Sequence, residues 1–502
     1  MGKKPNIVYF VADQMRCDSM AHMGNPAAIT PNLDVAAEEG VSFANAYCQN
    51  PVCVPSRCSF LTGLYPHTTG HRTIHYLQNP GEPNFLRTMK ENGYEVIWVG
   101  RNDVIPADRS KEEFCDRYYD GFKEGNQKSA VAVPKPPKPK KEITEAQKEA
   151  MKIPGYYSFF TGKVDLEQAS GPDAYFGGYD WSCIAQAMEY LEEKSKEPEG
   201  KPFFLYITLM YPHPPYMCED PWFSMIDRKK LVPRRPGAQK LDGKPSMLKE
   251  IARKQNLSAW GEENFDEMRA VYLAMVSRFD HQYGMVTDKL KECGMYDDTS
   301  IFVFSDHGDY TGDYDIAEKV QNCFEDPVTN VPLIIKPAKQ FPVKPRVTKA
   351  LVELVDLTET VCDMTGVRTE YVQFGKSLLP VLAGEENHRE AVFCEGGRIH
   401  GERWAMELGH GPESHYWPRL DTQAQEGPEH TKAVMVRVGD LKYVYRLYEK
   451  DELYNLALDP QELDNRIDDP AYANEVLEMK LKIMEHLVAT GDIVPDRRDL
   501  RM

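Results

Sequence analysis

The first apolar run of the chain, NIVYFVA at residues 6–12, is continuous and rich in β-branched and aromatic residues. That pattern predicts a strand buried on both faces, ending at Asp13. TPNLDVAAEEGVSF then reads as a helix, with Thr30 placed to cap it, Pro31 at its first position and Gly40 to stop it. Three further helix-then-strand units follow: NFLRTMKENG into YEVIWVG, WSCIAQAMEYLEEKSKE into KPFFLYITLM, and a long helix from about 264 to 291 into TSIFVFSD. The alternation predicts an α/β chain whose mostly parallel central sheet is flanked by helices on both faces. After residue 385 the period changes. AVMVRVGDLKYVYRLYEKDELYNL alternates like an antiparallel hairpin with a Gly-Asp turn, and a helix is expected near 473–490. The expected organisation is a large domain over 1–385 and a smaller C-terminal α+β subdomain, with an antiparallel sheet, over 386–502. A Pro/Lys-rich insertion at about 105–160, including AVAVPKPPKPKKEITEAQKEAMK, is expected to be exposed, extended through its prolines and helical after Ile143.

In open sheets of this kind the binding crevice lies beyond the carboxyl ends of the strands. Asp13, Gly100-Arg101, Tyr211-Pro212-His213 and Asp306-His307 each fall just after one of the four predicted strands. Their side chains are therefore expected to converge at one sheet edge.

Composition narrows the possible partners. With 41% hydrophobic and 27% charged residues, the 502-residue chain can bury a sizeable core. A net charge of -18 without a basic stripe excludes nucleic acid as a natural partner. An anionic substrate would have to be held by particular Arg and Lys residues against that background. No apolar run is long enough for a signal peptide or membrane span, so a cytoplasmic location is expected. Eleven cysteines without regular spacing point to reduced thiols.

One of these thiols, Cys53, lies in CVPSRCSFLTG. Taken alone it could be packing at a helix start, a thiol nucleophile, a metal ligand or a precursor of something else. Cys53, Pro55, Ser56, Arg57, Leu61, Thr62 and Gly63 together resemble the signature of the type I, formylglycine-dependent sulfatase family, of the alkaline phosphatase-like superfamily. The resemblance implies that a maturation enzyme oxidises Cys53 to formylglycine, whose hydrated aldehyde attacks sulfur. Collapse of the resulting hemiacetal can then expel sulfate, whereas a plain serine would be trapped as a stable ester. Cys58 matches no role and reads as structural.

The resemblance also implies one divalent cation held by Asp13, Gln14, Asp306, His307 and the residue made from Cys53. Ca2+ is favoured over Mn2+ or Mg2+. Gln14 stands where many relatives carry a second Asp. Arg57, Arg101, His213 and Lys319 are the implied catalytic partners of Cys53, with His213 and Lys319 also touching the ester and protonating the leaving oxygen. GRNDV departs from the family's Gly-Lys-x-His: Arg101 keeps a positive charge, while Asp103 either binds substrate hydroxyls or pairs with Arg101. DELYNLALDPQELDNRIDDP resembles the family's C-terminal element, and 1–385 would be the catalytic domain. CEGGRIHGERWAMELGHGPESHYWPRL is expected to line the substrate entrance, with specificity set by loops 105–175 and 394–430.

The function expected is therefore hydrolysis of a small-molecule or saccharide sulfate ester, the alcohol being a sugar or an aryl or steroid alcohol. The alternatives are a phosphonate monoester or phosphodiester hydrolase on the same fold, and a non-catalytic carbohydrate-binding relative. The sequence leaves oligomeric state open.

Overall fold

The computed structural model describes residues 4–79, 81–121, 160–197, 199–407, 414 and 416–494. Most of the expected Pro/Lys-rich insertion, including the helix anticipated after Ile143, lies outside the described residues. Strands β1 (Asn6–Asp13), β2 (Val41–Tyr47), β3 (Glu95–Gly100) and β4 (Arg117–Tyr119) are followed by β5 (Phe160–Lys163), β6 (Phe203–Pro212) and β7 (Tyr216–Cys218). Then come β8 (Thr299–Ser305), β9 (Asn330–Val331), β10 (Leu333–Lys336) and β11 (Arg346–Glu353). The main sheet runs β11-β2-β10-β8-β1-β6-β3-β4, with β9 against β2; β5 and β7 form a separate ribbon. Every pairing along the main sheet is parallel except those made by β10 and β9.

Successive side chains of a strand point to opposite faces, and β1 supplies both cores of the molecule. Ile7, Tyr9 and Val11 join the cluster on one face, and Val8, Phe10 and Ala12 join the cluster on the other. This two-sided burial is why the run NIVYFVA carries no polar alternation. The second face is covered by the helices Gly171–Ser195 and Glu262–Glu292.

Thr30 does precede the helix Pro31–Glu39, but its hydroxyl makes no cap to that helix; it accepts from the Ala21 N–H at 2.9 Å. The cap comes from Asp280 on the long helix, whose carboxylate accepts from the N–H groups of Leu33 at 2.7 Å and Asn32 at 3.3 Å. A tertiary contact thus replaces the local one.

The remaining strands β12 (Ala391–Gly396), β13 (Ala433–Val438), β14 (Leu441–Arg446) and β15 (Glu452–Asn455) form a four-stranded antiparallel sheet. The predicted Gly-Asp turn joins β13 to β14, and the helix Ala473–Thr490 packs on this sheet through Met479 and Ile483. The same helix reaches the rest of the molecule through His486, which stacks on Phe393 at 3.8 Å and meets the Tyr65 ring edge-on at 4.4 Å. Burial, with His67 and Arg389 nearby, pushes the His486 imidazole down to about 3. An unfolded imidazole titrates near 6.5, so the unfolded chain takes up the proton first. The contribution is fully present above about pH 6.5 and is lost as pH falls toward 3, by at most about 1.4 kcal/mol per pH unit. Thermal melts across that window should therefore fall less steeply for His486→Phe than for the native chain. None of the helices among the described residues is long and apolar enough to cross a membrane.

Candidate active site

Four adjacent parallel strands, in the order β8-β1-β6-β3, bring their carboxyl ends to one edge. Ala12 lies opposite Ser305, Asp13 opposite Pro212, and Gly100 opposite Thr208. The residues that follow these strands are thereby placed together. Gly100 has φ +101°, and a Cβ there would lie 2.1 Å from the Thr208 carbonyl oxygen. Only glycine lets β3 end this close to β6 before the chain turns into Arg101.

The CVPSRCSF segment is a helix, Cys53–Phe60, every residue of which is buried. Being a helix start and carrying chemistry are therefore compatible for Cys53. The rest of the motif stops the helix. The Thr62 hydroxyl donates to the Cys58 carbonyl at 2.7 Å, the Gly63 N–H donates to the Ser59 carbonyl at 2.8 Å, and Gly63 has φ +71°. Ser56 donates to the Asp306 backbone carbonyl at 2.5 Å, tying the helix to the end of β8. Cys58 packs in the apolar core with Phe60 and Leu61.

One turn after Cys53, the fully buried Arg57 bridges two carboxylates. Its Nε donates to Asp306 Oδ2 and its Nη2 to Asp13 Oδ2, both at 2.9 Å. The other oxygens, Asp13 Oδ1 and Asp306 Oδ1, each lie 3.7 Å from His307 Nε2. The His307 Nδ1–H donates to the Gly308 carbonyl at 2.9 Å, which leaves the Nε2 lone pair facing the carboxylates. Cys53 Sγ lies 3.1 Å from that nitrogen and 3.5 Å from Asp13 Oδ1. Asp13, Cys53, Asp306 and His307 thus present ligand atoms within 4.8 Å of one another.

The donor set fits a divalent cation. Two carboxylate oxygens and an oriented imidazole converge, and their far sides are held by Arg57 and Gly308, the outer support that metal ligands need. Gln14, expected in the same group, directs its side-chain amide elsewhere. Its Oε1 accepts from Lys319 Nζ at 2.6 Å, and its Nε2 donates to Asp309 Oδ2 at 2.5 Å. Gln14 sits at φ 71°, a conformation a non-glycine residue holds only when its surroundings enforce it. Here its N–H donates to Asp306 Oδ1 at 3.1 Å and its carbonyl accepts from Tyr272 at 2.8 Å.

Arg101 Nε lies 2.9 Å from Asp103 Oδ2, so of the two expectations for Asp103 the structure displays the ion pair. Arg101 also approaches Asp13 at 3.6 Å, and Asp103 approaches Arg57 at 3.7 Å. His213 is buried with its Nδ1 2.5 Å from the Pro214 carbonyl. Burial, and then Lys319, push its imidazole well below the usual range. Burial works against the charge on Asp13, but His213, Arg57, Arg101 and Lys319 outweigh it and hold this carboxyl far below its ordinary value. The Cys53 thiol moves the other way, raised by burial and then by Asp13. An unactivated thiol of this kind is a poor nucleophile.

Three further groups escaped sequence reasoning. Asp309 anchors Gln14 while accepting from Tyr216 and Thr311. Glu318, beside Lys319, is 4% exposed, and among the described residues neither of its carboxylate oxygens is hydrogen-bonded, with Lys319 at 4.0 Å as its ion-pair neighbour. Tyr416, from the segment expected at the substrate entrance, lies in the field of Glu318, Lys319 and Arg101. Asp309 stands in the conspicuous SDHGD run, but nothing local marks Glu318 or Tyr416.

The chain is 26% identical to the multifunctional alkaline phosphatase superfamily protein PehA of Trinickia caryophylli, over 97% of this chain and 96% of that protein. It is also 26% identical to the choline-sulfatase of Rhizobium meliloti (strain 1021), over 93% and 83%. The fold is similar to that of the phosphonate monoester hydrolase of Agrobacterium radiobacter, with a TM-score of 0.73, 22% identity, and coverage of 97% and 96%. The profile of the Sulfatase family matches residues 5–367, and the chain belongs to the sulfatase family.

Proposed function

We propose that the chain hydrolyses sulfate esters to an alcohol and inorganic sulfate, using a formylglycine made from Cys53 and one divalent cation, Ca2+. The observation that carries this reading is the local charge. Among the described residues Asp13, Asp103 and Asp306 are interlocked with two cations, Arg57 and Arg101. The neighbouring Lys319 is matched by Glu318. These groups alone leave positive charge short by one, the buried Asp309 beside Gln14 adds a further acid, and an anionic ester would be repelled. A divalent ion at Asp13, Asp306 and His307 reverses that sign.

When bound, the cation draws charge from the sulfate oxygens and acidifies the nucleophile. The rest falls to side chains. Arg57 fixes the orientation of both carboxylates at the start of the Cys53 helix, and Arg101 offers its guanidinium to the sulfate. Lys319 spends one of its three N–H donors on Gln14, which aims the ammonium. Lys319 and His213 are assigned to the leaving oxygen, and Asp103 to holding Arg101. This chemistry is assigned to the 1–385 portion, with 386–502 as a C-terminal subdomain.

For the alcohol half, we assign a sugar or other hydrogen-bond-donating alcohol in preference to an apolar aryl or steroid group. Among the described residues Glu318 is an acceptor without a hydrogen-bonding partner, and it stands beside the leaving-group residue Lys319. A phosphonate monoester carries the same single negative charge, so hydrolysis of phosphonate monoesters or phosphodiesters is the second reading. Dialysis of matured protein against a chelator should abolish sulfate release. Added Ca2+ should restore it, ahead of Mn2+ or Mg2+. Full activity in the chelator would overturn the metal assignment.

A further inference from the structure

Away from this site, His400, Glu426 and His430 form a second group whose ligand atoms lie within 4.8 Å of one another. Glu426 Oε2 is 3.4 Å from His400 Nδ1 and 3.9 Å from His430 Nε2. A tetrahedral ion bound at about 2.0–2.2 Å from nitrogen and carboxylate oxygen ligands sets them a little over 3 Å apart. Sub-ångström movements would therefore suffice.

His430 supplies an independent observation. It is completely buried, and among the described residues neither ring nitrogen makes a hydrogen bond of good geometry, its one such neighbour being a loose approach to the Gln425 backbone. A buried imidazole without a partner is costly in a folded protein, whereas a metal ion would satisfy it. The carboxylate between the imidazoles is already oriented. Arg398 Nη1 donates to Glu426 Oε1 at 3.2 Å, and the Gly401 N–H donates to Oε2 at 3.2 Å. Support of one oxygen by an outer hydrogen bond while the other faces the ligand group is the usual arrangement around a metal-binding carboxylate. Arg398 also opposes a cation by its charge, but it spends its remaining donors on the carbonyls of Gln423, Gln425 and Ile399.

We infer that His400, Glu426 and His430 bind a second divalent ion of the Zn2+ class. Two imidazoles with one carboxylate select a borderline transition metal over Ca2+ or Mg2+. The ion closes the chain between His400 and Glu426, and that span carries Tyr416 to the edge of the active site. It clamps one wall of the substrate entrance and takes no part in the chemistry there.

The test uses the full-length chain stripped of metal and titrated with Co2+ alone or Zn2+ alone, read by Co2+ visible absorption, metal content and thermal melting. The native protein should bind one more Co2+ per chain than His400→Ala or Glu426→Gln, and Asp306→Asn should retain that ion. Loss of a ligand should weaken this binding by more than the roughly 10–100-fold that loss of an outer partner costs. Zn2+ should raise the melting temperature of the native chain by more than that of His400→Ala, which keeps the active-site ligands Asp13, Asp306 and His307. His400 is half-exposed, so its replacement is compatible with folding. Equal Co2+ content in native and His400→Ala protein, or equal stabilisation of both by Zn2+, would overturn the assignment.

Discussion

Replacing Cys53 by alanine is expected to lower turnover of a sulfate ester by about a million-fold, the scale on which removing a nucleophile disables other hydrolases. The variant should still fold, because Cys53 makes no contact on which the core depends: its sulfur faces His307 and Asp13. Cys53→Ser separates nucleophile identity from mere presence of an oxygen. A serine at this position can displace the alcohol from sulfur once, but it lacks the second hydroxyl whose proton loss lets the adduct collapse. It should therefore accumulate a protein-bound sulfate ester, seen as a mass increase on the peptide spanning residue 53, with no steady-state release. Rapid turnover by Cys53→Ser would argue that no aldehyde is needed.

The second large effect is on folding. Arg57→Ala removes the one guanidinium that joins Asp13 to Asp306, leaving two buried carboxylates without their main counter-charge. Breaking a buried pair in this way costs about 3–5 kcal/mol, which denaturant unfolding of the metal-free protein should register. Divalent cation should recover part of the loss by binding the folded state alone. Arg57→Lys should recover less than an equal exchange of charge implies, because a single ammonium cannot donate to both carboxylates in the fixed geometry of a fork. A metal-free Arg57→Ala protein as stable as the native chain would contradict the role given to the bridge.

Much of this arrangement was legible in the sequence, for a reason visible in β1. Central strands buried on both faces leave continuous apolar runs, and such runs mark where the next polar residues must gather. Asp13, Arg101, His213, Asp306 and His307 were placed by that rule. The outer strands were harder to read. β2, VSFANAY, begins inside a stretch that continues a helical pattern, and β10, LIIK, is four residues long and runs against its neighbours. Side-chain engagement was not legible at all. The left-handed backbone of Gln14, its commitment to Lys319 and Asp309, and the cap that Asp280 gives to a helix far along the chain are tertiary facts. His400 and Glu426 also lie too far apart for any ligand-spacing rule to connect them.

The central claim is that the site is built for sulfate esters and that its working nucleophile is made from Cys53. The most direct measurement compares initial rates on matched aryl sulfate, phosphonate monoester and phosphodiester substrates. It uses one preparation whose Cys53 peptide has been shown by mass to have lost sulfur and two hydrogens and gained one oxygen. The expected result is sulfate release that exceeds both other rates and disappears in Cys53→Ala. Faster cleavage of the phosphonate or diester, or no sulfate release from any sulfated sugar, aryl or steroid substrate by the converted protein, would contradict it.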